Sequence, residues 1–145
     1  MRALLQRVSY ARVVVDGSTV AEIGKGLLVF AAFEQKDSEE TAKRMFDRIL
    51  AYRIFSDENG KMNLNVRQAG GRVLAVSQFT LAADTSRGNR PSFDPAMNPA
   101  DAKKLYDLFI DYGRSVHPEL QTGVFAADMK VSLENDGPVT FMLEV

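Results

Sequence analysis

The run LLVFAAF, residues 27–33, sets seven apolar side chains in a row after the Gly24-Lys25-Gly26 turn. A strand with one wet face alternates apolar and polar residues. An unbroken apolar run of this length reads instead as a strand buried on both faces. A second buried run, RVLAVSQ at 72–78, lies further along the chain. Strands of this kind need a layer on each side.

Upstream, residues 2–15 are rich in Val, Leu and Ala and meet Asp16-Gly17; STVAEI, 18–23, follows. The Asp-Gly pair predicts a hairpin. Downstream, Asp37 is the expected helix cap, with Glu40 in capping-box spacing. Ala42, Met45, Phe46, Ile49 and Leu50 form that helix's apolar stripe. The segment YRIFSDENGK, 52–61, reads as a short strand ending in a polar turn. Residues 84–99, DTSRGNRPSFDPAMNP, read as a long irregular loop, a length often associated with function. A second helix is expected after it, with Asn98 as cap, Pro99 in the first turn and Asp101 at the positive end. Its stripe is Ala102, Leu105, Tyr106, Phe109 and Tyr112, and Gly113 is placed to end it. The tail KVSLENDGPVTFMLEV, 130–145, reads as two strands around an Asp-Gly turn. The order of elements predicts a single α/β domain over 1–145, with mixed β-sheets and two main helices packed on one side.

Composition bounds the function. Apolar residues are 46% and charged residues 26% of the 145, as in ordinary globular proteins. No apolar run approaches the roughly 20 residues of a membrane-spanning helix. The first residues carry Arg2, Arg7 and Arg12 among their apolar neighbours, so they read as a strand rather than a signal peptide. The chain has no cysteine, which removes disulfides, thiolate metal sites and cysteine nucleophiles together. A cytoplasmic location is the natural expectation. The net charge of −1 offers no global basic signal, although a local basic face can act within a neutral total.

Familiar catalytic patterns are absent. His117 is the sole histidine, and its place near a helix end favours a capping or surface role. Asp57-Glu58-Asn59-Gly60 lacks the remaining spacing of a calcium loop and reads as a turn. No metal site and no cofactor site is expected. No nucleophile elbow, phosphate loop or dinucleotide fingerprint occurs. What remains is Ser77-Gln78-Phe79-Thr80-Leu81, where buried strand passes into polar residues. Strand ends of this kind open into crevices in α/β proteins. The local pattern alone favours a plainer role, satisfying loop backbone groups. The stretch NDGPVTF, 135–141, reads unaided as a turn with an awkward proline, since Pro138 has no N–H for a ladder.

Taken together, SQFTL at 77–81 and NDGPVT at 135–140 resemble the two signature motifs of the D-aminoacyl-tRNA deacylases. MRALLQRV, YRIFSDENGKMNLNV, QFTLAADTSRGNRPSF and QTGVFAADMKVSLENDGPVTF extend the likeness along the chain. The resemblance implies a layered, barrel-like α/β fold and a homodimer. It implies hydrolysis of the ester joining a D-amino acid to the terminal adenosine of tRNA, and of glycine misattached to alanine tRNA. Partners would be the aminoacyl-tRNA 3′ end and a second copy of the chain, with neither membrane nor DNA. Carried over by motif, Ser77, Gln78, Phe79, Thr80 and Leu81 surround the ester. Gly137-Pro138 is a cis peptide inserted into the partner's site. Phe125 and Met129 line an adenosine pocket, and Arg7 braces the Gly-Pro loop.

That assignment is chemically coherent. A side-chain pocket recognises shape, whereas a rigid backbone can fix three directions at an α carbon and reject L residues by clash. Glycine would pass such a filter. The N–H of Phe79 or Thr80 is an expected oxyanion donor. Thr80 has no evident base beside it, so the tRNA 2′-hydroxyl is expected to help activate water. Arg87 and Arg90, with Lys43, Arg44 and Arg48, are candidates for holding the tRNA body. A non-enzymatic RNA-binding module and a serine or threonine hydrolase of small esters are the rival readings.

Overall fold

A computed structural model describes residues 1–145. Its elements are β1 (Arg2–Val15), β2 (Ser18–Ile23), β3 (Gly26–Ala32), α1 (Glu39–Ala51), β4 (Phe55–Ser56), β5 (Met62–Leu64), β6 (Arg72–Ser77), a 3-10 turn (Phe79–Ala82), α2 (Pro99–Val116), β7 (Gln121–Thr122) and β8 (Lys130–Glu144). The main sheet runs β2-β1-β3-β6-β7, with β8 on the other edge of β1. β1 pairs antiparallel with β2, β3 and β8, while β3–β6 and β6–β7 are parallel. β2 packs back against β6 and β7, so the sheet curls into a barrel-like layer with both helices outside it. This is the mixed α/β arrangement expected from the sequence.

Burial of β3 on both faces is realised by alternation. Leu27, Val29 and Ala31 join the helices' core; Leu28 joins the core inside the barrel. On β6, Val73 and Ala75 face the helices and Leu74 and Val76 face inward. β1 changes face along its length. Ala3 and Leu5 point to the helices, but Ala11 and Val13 point into the barrel. The register shift between Val8 and Tyr10 makes the change, because one inserted residue moves a period-two pattern to the opposite face. Asp16 and Gly17 both take positive φ, 49° and 77°, in the predicted hairpin turn.

Three local expectations are corrected. The cap of α1 is Ser38, whose hydroxyl accepts from Thr41 N–H, and not Asp37. Asp37 faces elsewhere: its carboxylate accepts from Glu34 N–H at 2.6 Å and pairs with the Met1 ammonium at 2.6 Å. Gly113 does not end α2, which continues to Val116 with His117 as its C-cap. A Cβ at Gly113 would lie 2.4 Å from Phe46, so this glycine lets α2 approach α1 closely. The tail is one strand rather than two, since β8 stays on β1 and interrupts its pairing only around residues 136–139. Asn98 caps α2 as expected, accepting from Asp101 N–H at 3.1 Å, with Pro99 in the first turn. The sequence segment 52–61 holds β4 and a turn that Asp57 closes by accepting from Asn59 and Lys61 N–H groups.

Candidate active site

At the C-terminal end of β6 the chain leaves the sheet. Gln78 N–H donates to Ala31 O at 2.8 Å, and the 3-10 turn of Phe79–Ala82 follows at once. Phe79 and Thr80 open that turn, where backbone N–H groups have no preceding carbonyl of the same turn to bond. The Gln78 amide donates to Thr80 Oγ1 at 2.7 Å, so the two side chains are held together. Arg2 Nη1 donates to Leu81 O at 3.2 Å and pins the far end of the segment to β1.

Beside this turn lies a pocket of about 690 Å³, within the range of small-ligand sites. Ser77, Gln78 and Phe79 form one wall, and Phe125 and Met129 form another. Three residues from the loop before α2, Phe93, Ala96 and Met97, supply a third wall. That loop is tied down by Met97 N–H to Phe33 O at 3.0 Å and Gln35 N–H to Pro95 O at 3.1 Å. Behind the pocket, the Phe125 ring packs on Tyr106 at 5.5 Å. Burial pushes the Tyr106 hydroxyl up to about 12, so it stays neutral. A Cβ at Gly123 would sit 2.7 Å from Met129 Sδ; its absence lets the thioether lie near Val76. Ala126, in the same wall, takes φ 60°, an unusual conformation for a residue with a side chain.

The lining is mostly apolar. Asp128 is its one ionisable residue, and its carboxylate is well exposed and paired with Lys130 at 2.9 Å. His117, the only imidazole, is not in the pocket. It is buried at the end of α2 with Nε2 unpartnered, and burial holds it below its ordinary value. The sequence places it correctly as a cap but not as a surface residue.

Gly137 and Pro138 lie elsewhere. They form an exposed knuckle on β8, joined by a cis peptide bond. Two side chains hold the knuckle. Asn135 Oδ1 accepts from Val139 N–H at 2.6 Å, while its amide donates to Val139 O and to Thr140 Oγ1. Arg7 Nε donates to Asp136 O at 2.8 Å and Nη1 to Ile54 O at 2.8 Å. Arg7 faces the helix side because it precedes the register shift in β1.

Sheet register measures the separation of the two motifs. Ser77 is level with Ala31, Ala31 with Ala3, and Ala3 with Leu143. Pro138 stands in the gap between the Gln6–Thr140 and Val8–Asn135 pairs, about four positions along β1 from Ala3. That is about 13 Å along the strand and about 14 Å across three strand spacings, so roughly 20 Å in all. The structure therefore brings Ser77, Gln78 and Phe79 together with Phe125 and Met129. It sets Gly137, Pro138 and Arg7 apart from them in the same chain, and Thr80 and Leu81 do not line the pocket. Sequence reasoning missed Phe93, Ala96 and Met97. The visible signal was an aromatic residue in a polar loop, between Pro91 and Pro95.

The family described as D-Tyr-tRNA(Tyr) deacylase matches residues 4–144. The D-aminoacyl-tRNA deacylase of Saccharophagus degradans is 61% identical over 143 residues, covering 99% of each chain. That of Shewanella pealeana is 60% identical over 145 residues, covering all of both. Among solved structures, a c-Myc DNA unwinding element binding protein superposes with a TM-score of 0.95. It is 36% identical, over 100% of this chain and 99% of that one. A probable eukaryotic D-amino acid tRNA deacylase superposes at 0.84 over 99% and 98% of the chains; at 19% identity it speaks for the fold alone. On sequence and fold together, this chain belongs to the D-Tyr-tRNA(Tyr) deacylase family and is a hydrolase of the D-aminoacyl-tRNA deacylase kind.

Proposed function

We propose that the pocket at the end of β6 seats the terminal adenosine and its ester, and that the Gly137-Pro138 knuckle of a second copy closes it. The roughly 20 Å between the motifs carries this reading, since one chain cannot bring them together. In it, a homodimer supplies each site with Ser77, Gln78, Phe79, Thr80 and Leu81 from one chain and with Gly137 and Pro138 from the other. Phe125 and Met129 hold the adenosine. Arg7 and Asn135 fix the knuckle's carbonyls.

The chiral rule follows from that geometry. Knuckle carbonyls accept hydrogen bonds from the substrate's α-ammonium and set the directions at its α carbon. A D side chain then points to solvent, and an L side chain points into backbone. Glycine, with nothing to clash, is hydrolysed as well, including when misattached to alanine tRNA. The N–H of Phe79 or Thr80, at the start of the 3-10 turn, stabilises the oxyanion. The scarcity of ionisable groups supports assistance from the substrate. Asp128 is paired with a lysine and exposed, so the ribose 2′-hydroxyl takes the larger part in activating water. Such an enzyme acts where tRNA is charged, in the cytoplasm.

The test compares matched D- and L-aminoacyl-tRNA, with a 2′-deoxy terminal adenosine as control. Fast D hydrolysis, negligible L hydrolysis and a large loss on the 2′-deoxy ester are expected. Equal rates for D and L would defeat the filter. Full activity on small esters without RNA would favour an ordinary esterase.

A further inference from the structure

The pocket's rim holds a pair of aromatic rings that the ester chemistry does not use, since Phe79 serves the ester through its backbone N–H and Phe93 has no part in it. Phe79 and Phe93 are 58% and 41% exposed, yet their rings pack at 5.1 Å between centroids with planes at 56°. Large apolar side chains this exposed, side by side at a site's edge, mark a binding surface. Phe93 stands at the foot of a small closed loop, in which Asp84 and Ser92 exchange both backbone hydrogen bonds. The loop's two cations, Arg87 and Arg90, are exposed at its tip. The arginine ion pairs of the chain belong to Arg2, Arg7 and Arg72, so these two cations are free. The loop's acids are at its base: Asp84 turns onto Ser86 N–H, which lowers its carboxyl below the usual range, and Asp94 follows Phe93.

We infer that Phe79 and Phe93 form a stacking platform for the base of the nucleotide preceding the terminal adenosine, with its phosphate at Arg87 and Arg90. This rests on the pocket being the seat of that adenosine. Continuity argues for it: Phe79 and Phe93 line the pocket's rim, so a chain leaving the pocket passes over the rings. The chemistry also fits, because base–aromatic stacking beside a cationic loop is how single strands are held without sequence-specific contacts. Arg90 is three residues from Phe93, within about 10 Å along the chain, a reach comparable with one nucleotide.

The experiment compares D-aminoacyl esters of adenosine, of the dinucleotide CpA and of the trinucleotide CpCpA. Binding of unacylated CpA and adenosine is measured alongside. In the wild-type protein the added cytidine should raise kcat/KM about tenfold, the size of one stack, mainly through KM. Phe93→Ala should abolish most of that ratio, and Phe93→Tyr should keep it. Arg87→Ala with Arg90→Ala should flatten its salt dependence. No gain from cytidine, or the same ratio in Phe93→Ala, would overturn the inference. So would a loss of dimer mass in Phe93→Ala, which would assign the rings to a second copy of the chain. If no ester is hydrolysed but CpA still binds more tightly than adenosine in a Phe93-dependent way, the platform stands and the reading of the ester site fails.

Discussion

The two motif regions are built in opposite ways. Residues 77–81 sit at the end of a doubly buried strand, beside a pocket lined by four segments of the chain. Residues 136–138 form an exposed knuckle on a strand at the sheet's edge, between half-buried Asn135 and core residue Val139. One has walls and few free polar groups; the other presents exposed backbone. The knuckle is nonetheless tethered, by Asn135 from within its own turn and by Arg7 from β1. A solvent-facing loop with that much dedicated hydrogen bonding is shaped to keep a conformation, as a probe pressed into another surface must be. The contrast teaches that each region offers what the other lacks, which is why the proposed site draws on both.

The comparison breaks most sharply at Gly137. Its φ is 153°, and a Cβ there would lie 2.5 Å from Val139 Cγ2 and 2.8 Å from Val139 N. Gly137→Ala should lower D-ester hydrolysis about a hundredfold, the usual cost of misplacing a site by an ångström. Mixing it with the pocket variant Gln78→Ala should restore about a quarter of wild-type activity, because a two-fold dimer of the mixed chains retains one intact site. No recovery on mixing would mean that each chain works alone. Next in size is Arg7→Ala, which frees Asp136 O and Ile54 O together. It should cost about 1.5–3 kcal/mol of stability, as for hydrogen bonds to charged groups, and lower kcat without weakening adenosine binding. Thermal melts and single-turnover rates check both parts.

On the pocket side, Thr80→Ala removes the hydroxyl that receives the Gln78 amide. With no base placed to make Thr80 a nucleophile, activity should fall less than about tenfold. Complete loss in a folded protein that still binds tRNA would point to a covalent route. The smallest effect lies away from both regions. His117 has its folded value lowered by burial, so the native state holds fewer protons than the unfolded one just below the ordinary value of 6.5. Stability should therefore fall as pH drops through that value and level off below the folded one. Wild type should lose more of its melting temperature than His117→Asn between about pH 7.5 and 5.5, since only wild type has this group to protonate.

Much of the fold was legible. Unbroken apolar runs marked β3 and β6, the Asp16-Gly17 pair marked the hairpin, and Asn98-Pro99 marked the start of α2. Asp37 was misread because a cap is judged from its own four residues, while its carboxylate is drawn to Glu34 N–H and the Met1 ammonium. Gly113 was misread because its reason lies in Phe46, on the other helix. The site was legible as two motifs, but its third wall came from a loop whose residues show no periodicity.

What the sequence determined by itself was local and periodic: which segments are strands or helices, which strands are buried on both faces, and which family the two motifs match. Those depend on neighbours a few residues apart. Only the tertiary structure decided that SQFTL stands at the end of β6 while the Gly-Pro knuckle stands midway along β8, three strands away, and that Phe125, Met129 and Phe93 converge on the first. It also decided that Arg7 reaches Asp136 across the pairing of β1 with β8. These are matters of register between strands far apart in sequence, fixed by the burial of both sheet faces and by one inserted residue in β1.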